Sequence, residues 1–217
     1  MQNKSIQSIF FSILVVLLSA CGGGEGETSS EKLLSLGTIQ TSYLNIADTS
    51  SVEGLTVKCA SSESKTAQNG SFVCANFPMS VYLGEYKIGE IQKKTIDNTF
   101  YIQDLLGVAR GATIHSEVTK LSMILQSLDE DAQPLNGITL TEKTLSILAT
   151  HLSSTTNLAG LSFENIDNII ADVITARLAQ DPDSQLKAVN YITAQSNLTT
   201  KIAELPALTY MQRTTQG

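Results

Sequence analysis

The chain has 217 residues, a formal net charge of −7, 16% charged residues and 6% aromatic ones, with no Trp. Fourteen basic residues face 21 acidic ones, which excludes a typical nucleic-acid binder, because phosphate neutralisation by Lys and Arg carries most of that affinity. At 42% apolar with four Pro and 14 Gly, this is a folding chain, neither disordered nor collagen-like, long enough for one large domain or two small ones.

Lys4 is the one charge between Met1 and Ser8. An apolar run from Ile9 to Leu18, interrupted by Ser12, then meets Ser19, Ala20 and Cys21. These parts read as the n-region, h-region and cleavage site of a secretory signal, residues 1–20. The run is about 10 residues, half of the roughly 20 that a spanning helix needs. Leu18-Ser19-Ala20-Cys21 resembles the lipobox of bacterial lipoproteins. The resemblance implies diacylation of the Cys21 thiol, cleavage before Cys21 and acylation of the new amino terminus. Gly22 rather than Asp follows the cysteine, which by resemblance to sorting in many Gram-negative bacteria implies the outer membrane.

Removing residues 1–20 takes Lys4 away and leaves 13 basic against 21 acidic residues, a net charge of −8 (13 − 21) on 197 residues (217 − 20). Anionic headgroups repel such a chain, so the expected attachment to the bilayer is through the acyl chains and not a basic patch. Gly22 to Ser30 (GGGEGETSS) reads as a flexible tether of about 17 Å root-mean-square span. The lipidated Cys and its tether occupy residues 21–35. Export to an oxidising compartment leaves two thiols, Cys59 and Cys74, and predicts a disulfide between them.

Residues 36–105 carry β periodicity. Val52, Leu55, Val57 and Cys59 form an extended segment, Asn69-Gly70 is a hairpin signal, and Ser71-Phe72-Val73-Cys74 alternates after it. Phe77, Val81-Tyr82-Leu83, Ile88, Ile91, Ile96 and Phe100-Tyr101-Ile102 continue the pattern. Cys59 and Cys74 would pin the two arms flanking the turn. Residues 106–205 have the helical period. Ile114, Val118, Leu121, Leu125 and Leu128 make one stripe, with Thr113 as the expected cap. Thr141 opens a second helix with Leu145, Leu148 and Leu152, and Ser162 a third with Ile166, Ile169, Ile170, Val173 and Ile174. Asp181-Pro182 reads as the start of a last, long or broken, helix through Leu186, Val189, Ile192, Leu198, Ile202 and Leu205. Residues 206–217 form a C-terminal tail. The expected fold is α+β, a small disulfide-pinned antiparallel β-sandwich followed by a helical bundle.

Several stretches carry a further resemblance: Ser51-Val52-Glu53-Gly54-Leu55, the Cys59 strand, Asn69 to Cys74, Val81 to Gly84, Leu125 to Asp131 and Asn136-Gly137-Ile138. Together they resemble a module of secreted proteins and lipoproteins of Gram-negative bacteria, over roughly Ser42 to Leu140. The first half is also similar to carboxypeptidase-regulatory, transthyretin-like β-sandwiches. The resemblance implies an extracytoplasmic sandwich accompanying surface or adhesive proteins, and supplies no catalytic residue.

One constellation carries chemistry. Asp129, Glu130 and Asp131, followed by Gln133 and Asn136, offer oxygens of the kind calcium takes, with Asp129, Asp131 and Asn136 as the candidate ligands. The EF-hand pattern fails, because Pro134 stands where glycine is needed and Leu140 at the twelfth place; the competing reading is a polar turn. No other cofactor is expected. His115 and His151 read as surface or cap residues, and no nucleophile elbow or zinc pair accompanies them. The expected function is therefore that of a non-enzymatic, outer-membrane-anchored lipoprotein that binds or assembles with another envelope or surface protein. The alternatives are an adhesin-like module for a ligand or glycan, disfavoured by the lack of Trp for sugar stacking, and then an envelope hydrolase.

Overall fold

The computed structural model describes residues 44–48 and 50–204. The signal segment 1–20, Cys21 and the tether to residue 35, Leu205 and the tail 206–217 lie outside the described residues. The order is β1 (Leu44–Ala47), β2 (Val52–Glu53), β3 (Thr56–Lys58), β4 (Glu63–Lys65), β5 (Ser71–Phe72), β6 (Met79–Leu83), β7 (Tyr86–Ile91), β8 (Thr99–Tyr101), α1 (Ile102–Leu105), α2 (Ser116–Ser127), β9 (Ile138–Thr139), α3 (Glu142–Leu148), a 3-10 turn (Leu158–Gly160), α4 (Phe163–Gln180) and α5 (Tyr191–Ala203). The fold class is α+β. Among the described residues no helix is long and apolar enough to cross a membrane.

The largest sheet is antiparallel, in the order β4-β3-β6-β7. Met79, Val81 and Leu83 of β6 are buried while Ser80 and Tyr82 are half-buried, the alternation a one-sided sheet requires. Leu83 pairs with Tyr86 across a two-residue turn whose Gly84 has φ +58°, the left-handed geometry such hairpins favour. A bulge between Val81 and Tyr82 shifts the register against β7. Beyond it stands Gly89, where a side chain would collide with the Leu105 carbonyl, so glycine there lets α1 close on β7.

Asn69-Gly70 is a tight turn: the Gly70 amide donates to the Ala67 carbonyl (2.7 Å) and Asn69 Oδ1 accepts from the Ser71 amide (3.1 Å). One backbone bond crosses it, from the Ala67 amide to the Ser71 carbonyl (2.9 Å), but the strands on its two sides do not pair with each other, which corrects the hairpin expectation. β4 pairs with β3, whereas β5 pairs antiparallel with β1, which also runs parallel to β8. The cause is Phe72. β4 consists of Glu63, Ser64 and Lys65, none of them buried, whereas beside β1 and β8 Phe72 packs 6.3 Å from Phe100. The Cys59–Cys74 disulfide is formed, with Cα atoms 5.9 Å apart. It follows β3 on one side and β5 on the other, and so joins two sheets instead of two arms of one hairpin.

β2 and β9 pair in parallel, Val52 with Ile138 and Glu53 with Thr139. This pairing spans residue 105, where the β-rich segment was expected to give way to the helical one. The buried hydrophobics likewise form one cluster, from Ile46, Val57, Val81 and Phe100 through Leu121 and Leu125 to Ile166, Ile170 and Leu198.

α2 runs through the middle. Val118, Leu121, Leu125 and Leu128 are fully buried as their spacing predicts, but Thr119, Lys120, Ser122, Gln126 and Ser127 are buried too. The helix starts at Ser116 with His115 in the cap position and no side-chain cap bond. Thr113 is therefore not the cap; its hydroxyl accepts from that of Thr199 (3.1 Å), and Ile114 is 78% exposed. Thr141 caps α3, accepting from the Thr144 amide, and Ser162 forms a capping box with Asn165 at α4. Asp181-Pro182 ends α4 and starts no helix. Arg177 draws the Asp181 carboxylate back onto α4 (3.0 Å), and residues 185–190 run without helix until Asn190 caps α5.

Candidate functional site

The loop between α2 and β9 is built by its own carboxylates. Asp129, buried, accepts from the Thr139 amide through Oδ1 (2.9 Å) and from the Gln133 amide through Oδ2 (2.8 Å). Asp131, exposed, also accepts from the Gln133 amide (2.9 Å) and from Asn136 Nδ2 (3.2 Å). Two carboxylates thus converge on one N–H, and Ala132, the residue just before it, adopts φ +55°, a conformation that non-glycine residues enter only where surrounding bonds fix it. Glu130 is directed elsewhere: Arg177 donates to its Oε1 (2.6 Å), and the hydroxyls of Thr141 and Thr144 donate to its Oε2 (3.4 and 3.3 Å). The loop is also tied to the end of β1, since Ser50 Oγ donates to the Pro134 carbonyl (2.6 Å).

The loop forms one wall of an open groove of about 680 Å³; the other wall is Lys187 to Asn190 with Thr193 and Asn197 of α5. Val189 and Pro134 are apolar parts of the lining, and Leu135 stands 65% exposed on the loop. Beneath it lies a buried polar chain. Asn197 Nδ2 donates to Gln126 Oε1 (2.8 Å), Gln126 Nε2 donates to Ser122 Oγ (2.6 Å) and Asp48 Oδ2 (3.0 Å), and Ser122 Oγ donates to Asp48 Oδ2 (3.0 Å). Ser127 Oγ accepts from the Val189 amide (2.8 Å), which pins the second wall to α2. Buried amide and hydroxyl groups cost free energy unless partnered, so this chain fixes where α5 and the 187–190 segment sit.

The groove offers hydrogen-bonding groups of both signs. Asn136 and Asn197 spend their side-chain N–H on Asp131 and Gln126, leaving carbonyl oxygens as acceptors; Asn190 spends its oxygen on the Thr193 amide, leaving its N–H₂ as a donor. Lys187 and Gln133 add further donors to the lining. Such alternation suits a ligand with its own alternating donors and acceptors, as a polypeptide backbone has.

Of the candidate calcium ligands, Asp129, Asp131 and Asn136 share one loop, but the oxygens of both carboxylates are taken up by the protein's own N–H groups. Among the described residues no group of three or more His, Cys, Asp or Glu side chains is placed to hold a metal ion. Cys21 lies outside the described residues. Lys187, Asn190, Thr193 and Asn197 are groove residues that sequence reading passed over; the one available signal was Asn190 in capping position before an apolar-spaced helix.

Burial pushes the Asp129 carboxyl up to about 6, reinforced by Asp131 and opposed by the Thr139 amide. The bond shared with Asp129, then Asn136 and the Gln133 amide, hold Asp131 below the ordinary carboxylate range. A carboxyl raised by folding stabilises the fold fully below its unfolded value near 4 and loses that contribution as pH rises through its folded value. The melting temperature is therefore expected to fall between about pH 4 and about pH 6. In Asp131→Asn the like charge is gone and the fall flattens; an unchanged slope would place its origin elsewhere.

A second polar centre joins β8 and α1. Arg110, 2% exposed, donates to Asp104 Oδ2 from Nε (2.9 Å), to Asp97 Oδ2 from Nη1 (2.7 Å) and to the Thr99 carbonyl from Nη2 (2.8 Å), and lies 4.8 Å over the Tyr101 ring. Burial raises Asp97, but Arg110 more than offsets it and holds the carboxyl below its ordinary range. The result is a fixed loop between β7 and β8.

No family model, curated protein or solved structure matches this chain.

Proposed function

We propose that this chain is a non-enzymatic, lipid-anchored module of the bacterial outer membrane that binds a segment of another envelope or surface protein in the groove between the 132–136 loop and α5. In this reading the β-rich half is a small disulfide-pinned sandwich and the helices form a bundle mounted on it. The observation that carries the reading is the groove itself, a volume of about 680 Å³ lined by four side-chain amides, one lysine and apolar side chains over a fixed polar floor. Those groups recognise and hold; they match the donors and acceptors of an extended chain, while Leu135 and Val189 meet its apolar side chains. The lipobox-like Leu18-Ser19-Ala20-Cys21 and the disulfide support placement outside the cytoplasm.

The test is site-specific photocrosslinking in intact cells. A photoreactive residue at Leu135 is expected to give one discrete protein adduct, which Val189→Glu abolishes by placing a carboxylate in the groove, while the same residue at exposed Leu178 gives none. No adduct at Leu135, or the same adduct from both positions, would overturn the groove. Palmitate labelling tests the anchor separately, and labelling that persists in Cys21→Ser would refute it.

A further inference from the structure

The chain enters its described fold at Leu44, and the strand pairings show which residues surround that point. β1 runs parallel to β8 with Asn45 opposite Thr99, and the Asn45 amide donates to the Asn98 carbonyl (2.8 Å). On its other side Leu44 stands opposite Phe72. The pole where β1 begins is therefore flanked by the loop leading into β8, residues 92–98, and by the chain leaving β5. Each carries an exposed apolar residue: Ile96 is 81% exposed and Val73 43%. The loop also carries Lys93 and Lys94, both exposed, and neither forms an ion pair among the described residues.

This loop is held rigid from below. Asp97 is clamped by Arg110, Thr95 Oγ1 donates to the Thr99 carbonyl (3.0 Å), Asp97 Oδ1 accepts from the Thr99 amide (3.2 Å), and Asn98 adopts φ +58°. A buried guanidinium with two carboxylates is a costly device, and what it fixes in place is an isoleucine held out in water between two lysines and the clamp. Asp97 is drawn back onto Arg110, so the charges left projecting from the loop are the two lysines, on a chain whose net charge is −7. An apolar tip beside lysines is the composition that seats in the headgroup region of an anionic bilayer.

We infer that the pole formed by the 92–96 loop and Val73 is the lipid-facing side of the protein, with Ile96 inserting among the headgroups of an anionic phospholipid surface and Lys93 and Lys94 binding their phosphates. The inference rests on the anchor at Cys21, since the tether that would link it to the bilayer joins the fold at this pole. β1 leads away from it, and beyond its far end Asp48 accepts from Gln126, which accepts from Asn197 of the groove, while Ser50 donates to the Pro134 carbonyl, so the groove lies toward the opposite end of the strand from the lipid.

The chain has no tryptophan and six tyrosines, so Ile96→Trp supplies a single tryptophan, excited selectively at the red edge of the absorption band, at an exposed position that makes little demand on folding. Full-length protein carrying it, purified as made by the cell, is reconstituted with vesicles of phosphatidylethanolamine and phosphatidylglycerol; Leu135→Trp serves as the control at the other end. The expected result is blue-shifted emission and quenching by brominated lipid at position 96 but not at 135. Lys93→Gln/Lys94→Gln is expected to lower the docked population by about fivefold per lysine, and pure phosphatidylcholine to do the same to the parent. Absence of quenching at 96 while the protein floats with the vesicles, or equal quenching at both positions, overturns the inference and leaves the anchor standing. Mass measurement reads the anchor independently. If Cys21 proves unacylated, quenching at 96 in protein added to vesicles at low salt still sustains the docking pole, and its absence sinks both.

Discussion

Arg110→Met is expected to cost about 3–5 kcal/mol of stability, the range for removing one partner of a buried ion pair. For a chain of this size that is a fall of roughly 10 °C or more in melting temperature. The reason is what remains. Asp104, 1% exposed, would lose the guanidinium that pairs with its Oδ2, and Asp97 would lose its bidentate partner. The charge itself can be separated from the packing. In Arg110→Met with Asp97→Asn and Asp104→Asn the buried charges are gone, and much of the loss should be recovered. The pH dependence gives a further check. A carboxyl held low by folding, as Asp97 is, contributes stability above about pH 4 that is lost as pH falls through its folded value. The gap between parent and Arg110→Met is thus expected to be wide at pH 7 and to narrow below pH 4. A constant gap from pH 7 to pH 3 would attribute the effect to lost packing instead.

Cys59→Ser/Cys74→Ser is expected to cost about 3 kcal/mol, from the entropy that closing a 15-residue separation removes from the unfolded chain. Reduction of the parent should give the same melting temperature as the double variant, since the cross-link, not the side chain, is the source. A fall of less than about 1 kcal/mol would show that the bridge adds nothing to an already fixed pair of sheets. Because the bridge joins the end of β3 to the segment after β5, its loss is expected to be felt first in exchange of the Ser71 and Phe72 amides.

The disulfide could be foreseen because the composition reduced it to one pairing once Cys21 was set aside. The helix starts at Thr141 and Ser162 and the alternation through Val81-Tyr82-Leu83 were legible for a related reason: each is decided within a few residues. What escaped was decided far away in the chain. Ser122 and Gln126 look like a solvated helix face until Asp48, 74 and 78 residues earlier, is folded against them, and Lys120 looks exposed until its ammonium meets the Leu158 carbonyl. Asn69-Gly70 signals a turn but not which strand its arms will join, and Phe72 chose β1. Asp181-Pro182 has the residues of a helix start, and the same residues serve to stop one when Arg177 precedes them by a turn. The candidate site was half visible: the acidic loop stood out, while its opposite wall, some fifty residues further on, carries only ordinary amides.

The pairing of β2 with β9 has a bearing on the order of events during synthesis. Two residues on each side close a circuit of 86 residues, from Val52 to Ile138 (138 − 52), with all of α2 inside it. Contacts of such separation form late, because loop closure must be met before they contribute. The first half of the chain therefore has an unfinished edge until residue 139 has been made. On the export route proposed above, this closure would be completed only after the first half of the chain has passed the pore, so the leading part is threaded without it.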